Sequence, residues 1–221
     1  FSTDLELRER YINFFGGLRL GKLLEDLDLI AGQMAYKHTE GWERGLTIVT
    51  AACDRIDLLG ELHSDCDLQL LSSINWVGRS SLEVGVRISS KVGKTWKRVA
   101  RAYFIMVARR EGIAEPVNSL EPVGKEERRR FQQGEQRQRQ RRAIAQTSYL
   151  HNTPTADESR VLHDLFLRIK NGEIEGAAME DTIRQSTLLM HPQSRNVHNN
   201  IFGGYLMREA FELAWNITYL F

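Results

Sequence analysis

The stretch GLRLGKLLEDLDLIAG, residues 17–32, decides the fold, because it opens a long apolar helix directly after a pair of glycines. From Leu20 onward the apolar residues recur at helical spacing and share one face. They are Leu20, Leu23, Leu24, Leu27, Ala31, Met34 and Ala35. The pattern predicts a helix of about five turns that is apolar enough to be buried at the centre of a domain.

Four strand-like runs follow this helix, at residues 46–59, 67–77, 81–92 and 95–109. Turn glycines at Gly78 and Gly93 separate the last three runs. The run SLEVGVRI alternates between apolar and polar residues, which predicts a strand with one buried and one wet face. The order predicts an α+β domain in which an antiparallel sheet wraps around one central helix.

The rest of the chain reads as connecting segments and a second copy of the opening motif. We expect a short strand at 8–15, loops at 111–122 and 171–176, a polar helix at 125–146 and a strand at 182–192. Thr155 and Glu158 form a capping box before an amphipathic helix that ends at about Ile169. A last apolar helix begins at about Phe202, after HNNIFGG.

The strand–glycine–helix unit therefore occurs twice, which predicts two similar domains. We expect a first domain at 1–110, a helical linker at 111–180, and the start of a second domain at 181–221. The second copy is expected to be truncated in its central helix, so the sequence reads as a fragment.

Composition excludes several classes of protein. A net charge of +1 argues against binding of nucleic acid or membranes through bulk charge. Cys53 and Cys66 are too few for a disulfide framework or a metal cluster, so we expect no metal and a reducing compartment. No apolar run reaches the roughly 18 residues of a membrane span, and no targeting segment is visible.

Five strings in this order resemble the eukaryotic two-hot-dog acyl-coenzyme A thioesterases of the mitochondrial acyl-coenzyme A thioesterase 9 type. They are RLGKLLEDLD, INWVGRSSLEV, FIMVARR, the linker FQQGE and HPQSRNVHNNIFGGYLMREAFELAW. The resemblance implies a tandem hot-dog fold, hydrolysis of acyl-CoA without a cofactor, and a mitochondrial location. It also implies a homo-oligomer built from hot-dog pairs, and it leaves acyl chain length and regulation open.

Thioester hydrolysis requires a carboxylate that activates water and hydrogen-bond donors that hold the oxyanion. In the family, the carboxylate lies on one central helix and an amide precedes the other. Asp28 lies at the rim of the apolar stripe and is the acid best placed to face a partner domain. Glu25 and Asp26 fall off the stripe and are expected to be solvated.

The second helix offers no acid at the matching position, where Phe211 stands, and its neighbour Glu212 is expected to face solvent. Asn200 directly precedes IFGG, whereas its counterpart before the first helix is Gly17. We therefore expect one site per domain pair, with Asp28 and Asn200 as catalytic residues. Asn199 is a rival amide and His198 a weaker one, and turn formation is the alternative role for all three.

Glycines at the helix starts let backbone amides approach a carbonyl closely. Gly21, Gly203 and Gly204, together with Asn199, are therefore candidate substrate-binding residues. Plain helix packing is the alternative, and it is as well supported for Gly21.

Seven arginines between Arg128 and Arg142 form a basic run, diluted by glutamates, that we interpret as a solvated linker helix rather than an RNA site. A position near coenzyme A phosphates stays open. Two other functions compete with hydrolysis: a module that binds acyl-CoA without cleaving it, and a hot-dog dehydratase. The dehydratase requires a histidine beside the acid, and His38 lies too far along the helix.

Overall fold

The computed structural model describes residues 1–148, 150–173, 176–177, 179–196 and 199–220. Its helices are α1 (Leu5–Glu9), α2 (Leu20–Thr39), α3 (Lys125–Thr147), α4 (Ala156–Lys170) and α5 (Gly203–Leu220). Its strands are β1 (Thr47–Leu58), β2 (Leu68–Val77), β3 (Ser81–Val92), β4 (Thr95–Arg110) and β5 (Ile113–Ala114). Short 3-10 segments occur at Met179–Thr182 and Pro192–Ser194.

The sheet is antiparallel, with strand order β1-β4-β3-β2, and β5 pairs with the end of β4. Helix α2 packs on its inner face, where Leu27 is 1% exposed and Phe104 of β4 is fully buried. Burial of one such side chain stabilises the fold by roughly 1.5–3 kcal/mol. The predicted hot-dog architecture, a sheet wrapped around a central helix, is confirmed.

The outer face of the sheet is covered by α3, which contradicts two expectations. Glu83 of β3 is fully buried, and its carboxylate accepts hydrogen bonds of 3.0 and 2.6 Å from Arg137 of α3. Gly134 of α3 is buried against Trp76 of β2. The polar residues of β3 therefore lie on a face that is covered by α3 and not on a solvent-exposed face. Helix α3 is packed against the sheet and is not freely solvated. The physical reason is that a buried carboxylate requires an ion-pair partner.

Helix α5 packs along α2 through Met207 and Phe211, which adjoin the core. Its other face is uncovered in the part of the chain that the structure describes: Leu206 is 45% exposed, and Ala210 and Ala214 are exposed. Phe221 lies outside the described residues.

Two predicted strands are wrong. Residues 8–15 form the end of α1 and a turn, in which Oδ1 of Asn13 accepts hydrogen bonds from the N–H groups of Phe15 and Gly17. Residues 183–191 are irregular, because no described strand pairs with them and a strand requires a ladder partner. The predicted loop at 111–122 contains β5, and the capping box of Thr155 and Glu158 is confirmed.

Three further features of the described residues concern membrane spans, metal ligands and cysteines. No described helix has both the length and the apolarity that crossing a membrane requires. No group of three or more potential metal ligands occurs in this part of the chain. Cys53 and Cys66 are free thiols.

Candidate functional site

Asp28 lies near the middle of α2 and is only 3% exposed. The hydroxyl of Thr50 on β1 donates a hydrogen bond of 2.6 Å to Oδ1 of Asp28, and the backbone N–H of Gly204 donates to the same carboxylate. Burial raises the pKa of Asp28 above its ordinary value of 3.8, and these two hydrogen bonds oppose the rise. Asp28 therefore faces the first turn of α5, in the second repeat, as the sequence predicted.

Two glycines allow this close approach of α5. A Cβ atom on Gly203 would lie 3.2 Å from Oδ2 of Asp28, and one on Gly204 would lie 2.9 Å from the backbone Cα of Glu25. The first turn of α5 can contact α2 because these residues lack side chains. Gly21 instead lies at the other end of the helix pair, where its Cβ would lie 2.9 Å from Oε1 of Glu212. The structure thus places Gly21 in helix packing and not in the cleft beside Asp28.

A cleft of about 790 Å³ runs along the contact and joins Asp28 and Gly203 to the loop before α5. Asn200 lines this cleft. Asn199 is not among the lining residues: its φ is +62°, and its side-chain oxygen accepts a hydrogen bond of 2.9 Å from Arg195. Asn199 therefore forms the turn, whereas Asn200 has access to the cleft. His198 lies outside the described residues.

Asn196, which is not among the site residues predicted from the sequence, also lines the cleft. It is half-buried, and its side-chain oxygen accepts a hydrogen bond of 3.2 Å from the N–H of Asn200. This bond orients the carboxamide, whereas Asn200 itself is exposed. The sequence signal was an asparagine at the same interval before each central helix, namely Asn13 and Asn196.

The loops before α2 and α5 repeat one hydrogen-bond pattern. The N–H of Asn13 donates to the carbonyl of Gly17 at 2.8 Å, and that of Asn196 donates to the carbonyl of Asn200 at 2.7 Å. The side chains of Asn13 and Asn196 accept bonds from the same two partners, at 3.0 and 3.2 Å. Gly17 and Asn200 thus occupy matching positions, but Asn13 supplies the first repeat with the loop amide that was thought absent.

The expected solvation of Glu25 and Asp26 is wrong. Glu25 is 8% exposed and forms ion pairs with Lys22 and, at 2.8 Å, with Arg208 of α5. Asp26 accepts a hydrogen bond of 2.6 Å from the hydroxyl of Tyr11. Both acids lie off the apolar stripe but face neighbouring segments, which a helical projection of α2 alone cannot reveal.

A second cleft of about 380 Å³ lies at the other end of the helix pair and mirrors the first. Phe211 lines it where symmetry would place an acid. The sequence predicted a freely solvated Glu212, but Glu212 is only partly exposed and forms an ion pair with Arg19 through hydrogen bonds of 2.8 and 3.0 Å. This ion pair between the Glu212 carboxylate and Arg19 connects α5 to the start of α2.

The first cleft thus combines a buried carboxylate, a helix N-terminus and two loop amides. A carboxylate can orient and deprotonate a water molecule, and donors near a helix N-terminus can stabilise an oxyanion. The nearby Cys53 is a poor nucleophile, because burial and the negative charges of Asp28 and Asp54 raise the pKa of its thiol to about 11. The arrangement suits water attack on an acyl carbonyl.

The fold is a hot-dog fold, and residues 12–97 match the family model of the thioesterase superfamily. The chain is 37% identical to mitochondrial acyl-coenzyme A thioesterase 9 of Mus musculus, over 96% of this chain and 52% of that protein. It is 35% identical to chloroplastic acyl-coenzyme A thioesterase 2 of Humulus lupulus, over 100% of this chain and 54% of the relative. The chain spans about half the length of the curated relatives it matches.

Solved structures agree with the fold. An apo-hexameric acyl-CoA thioesterase matches with a TM-score of 0.56 and 29% identity, over 63% of this chain and 88% of that chain. A threonine-to-alanine mutant of acyl-CoA hydrolase from Staphylococcus aureus matches with a TM-score of 0.56 and 27% identity, over 62% and 83%.

Replacement of Gly204 by valine is expected to undock α5, because the new side chain would collide with the backbone of α2 at Glu25. We expect a loss of roughly 1–3 kcal/mol in the free energy of unfolding, measured by chemical denaturation. Ala210→Val is the matched control, because it adds the same branched residue at an exposed position of the same helix. Equal destabilisation by both variants would contradict the packing role of Gly204.

Proposed function

We propose that the protein hydrolyses acyl-CoA thioesters to coenzyme A and a carboxylic acid. The observation that carries this proposal is the hydrogen bonding of the buried Asp28 carboxylate to Thr50 and to the first turn of α5. The curated relatives are named acyl-coenzyme A thioesterases, which supports the same activity. Aspartate-to-alanine and threonine-to-alanine mutants of the Staphylococcus aureus acyl-CoA hydrolase, each 27% identical, are among the similar structures.

In the proposed reaction Asp28 accepts a proton from a water molecule as the water oxygen forms a bond to the thioester carbonyl carbon. The tetrahedral intermediate then collapses with cleavage of the C–S bond, and the proton held by Asp28 passes to the leaving coenzyme A thiolate. Thr50 holds the carboxylate in position. The oxyanion is stabilised by the N-terminal end of α5 and by a carboxamide from the loop before it. The sequence proposes Asn200 for this amide, and the orientation and partial burial of Asn196 make Asn196 the better-organised donor.

The mirrored cleft is proposed to be catalytically inactive, because Phe211 replaces the acid and Arg19 engages Glu212. One reaction site per pair of repeats follows. We further propose that the protein acts in mitochondria, as the names of relatives suggest, and that hot-dog pairs assemble into a homo-oligomer, as in the hexameric neighbour.

Release of free thiol from acyl-CoA, followed with a thiol-reactive dye, tests the proposal. We expect release from at least one of short, medium and long acyl chains, and loss of release in Asp28→Ala. Binding of acyl-CoA without release at any chain length would support a non-catalytic binding module instead.

A further inference from the structure

A third cleft, of about 300 Å³ and strongly basic, lies between the outer face of the sheet and α3. The sheet separates it from α2 and therefore from Asp28. Six arginines line it: Arg87, Arg98, Arg101, Arg129, Arg130 and Arg137. The only lining residue with a carboxylate, within the described residues, is Glu126. Such a volume lies at the lower end of the range for small-molecule sites, which is roughly 300–1,000 Å³.

Two of these arginines are placed against each other by the sheet. Arg87 of β3 and Arg101 of β4 are direct cross-strand partners in the register. Like charges directly opposite each other in an antiparallel pair destabilise the sheet. A ligand of opposite charge would remove that repulsion.

The acids nearby neutralise only part of this charge. Arg137 is held by the buried Glu83, and Arg129 pairs with Glu126 at 2.9 Å. Arg130 donates a hydrogen bond of 3.3 Å to the hydroxyl of Ser73.

For the remaining three arginines, Arg87, Arg98 and Arg101, the described residues provide no ion pair. Moreover, Nε of Arg101 is buried and has no hydrogen-bond partner among the residues that the structure describes. A buried donor without a partner is costly, and guanidinium groups match phosphate oxygens in a bidentate geometry.

We propose that this cleft binds an anion that carries a diphosphate group, with Arg87, Arg98 and Arg101 as its main contacts. A diphosphate presents several oxygens to the guanidinium groups from one compact charge. Arg130 and Gln133 of α3 close the cleft over it from the linker side. The site is independent of thioester hydrolysis, because Asp28 lies on the opposite side of the sheet.

Two kinds of ligand carry this group: free inorganic diphosphate, and a nucleotide such as coenzyme A. Titration calorimetry of the purified protein with inorganic diphosphate and, separately, with coenzyme A in the Asp28→Asn background distinguishes them. Inorganic diphosphate is expected to bind both to the wild-type protein and to the Asp28→Asn variant. A decrease in coenzyme A binding stoichiometry on Arg101→Gln would show that the cleft also accepts the nucleotide-borne group.

Arg101→Gln and Arg87→Gln are each expected to weaken binding of inorganic diphosphate by roughly tenfold. Without the anion, Arg87→Gln is expected to raise the thermal unfolding temperature, because it removes the cross-strand repulsion; a purely structural arginine would show the reverse. Arg142→Gln is the matched control, since Arg142 lies on α3 outside the cleft. No binding of diphosphate, equal weakening by Arg142→Gln, or binding of single-stranded RNA alone would overturn the proposal.

Discussion

Asp28→Asn is expected to lower kcat for acyl-CoA hydrolysis by about 10²–10⁴-fold, with little change in KM. Asparagine has nearly the same shape: its carbonyl oxygen can accept from the N–H of Gly204, and its NH2 group can donate to the hydroxyl of Thr50. It cannot, however, accept the proton of the attacking water. The measurement is steady-state thiol release at saturating acyl-CoA. Unchanged kcat would remove Asp28 from the mechanism.

Protein stability and pH dependence provide controls for this variant. Burial raises the pKa of Asp28, so folding favours its neutral form, and the ionised carboxylate destabilises the folded protein above that pKa. Asp28→Asn should therefore unfold at an equal or higher temperature than the wild type at neutral pH. Wild-type kcat should rise with pH through the raised pKa, and the variant should lack this rise. A variant that is inactive because it is misfolded would unfold at a lower temperature.

Asn196→Ala is expected to lower kcat by about 10²–10³-fold, because it removes a pre-oriented donor to the oxyanion. Asn200→Ala tests the residue that the sequence proposed. Since Asn200 is exposed and less constrained, we expect a smaller loss, on the order of tenfold. Both variants are measured as thiol release at several acyl-CoA concentrations. A larger loss in Asn200→Ala would return the role to Asn200.

Asn199→Gly is the matched control in the same loop. Glycine accepts the positive φ of this position, and Asn199 is not among the residues lining the cleft, so activity should stay near the wild-type value. Combining Asp28→Asn with Asn196→Ala should cost much less than the product of the single effects, because both residues serve one transition state. Fully multiplicative effects would indicate that Asn196 acts elsewhere.

The loop asparagines also show what one motif in the sequence leaves out. The match between Gly17 and Asn200 is visible in the sequence, and the IFGG motif alone predicts Asn200 as the amide. The hydrogen-bond pattern of the two loops identifies Asn13 and Asn196 as the side chains that organise them. Their common interval before each helix was present in the sequence, but only the paired geometry gives it meaning.

The sequence by itself determined the architecture of the first domain. Helix α2 and strands β1 to β4 were predicted within a few residues, because periodic apolar burial and turn glycines act locally. It also determined that Asp28 faces the second repeat, since the rim of an apolar stripe can be read from one helix.

The tertiary structure decided what depends on distant partners. Arg208 forms an ion pair with the buried Glu25, and Arg19 forms one with Glu212. Arg137 of α3 forms an ion pair with the buried Glu83 of β3. These charges look solvated in isolation, because burial of an ionised group depends on a counter-charge that folding brings from elsewhere in the chain.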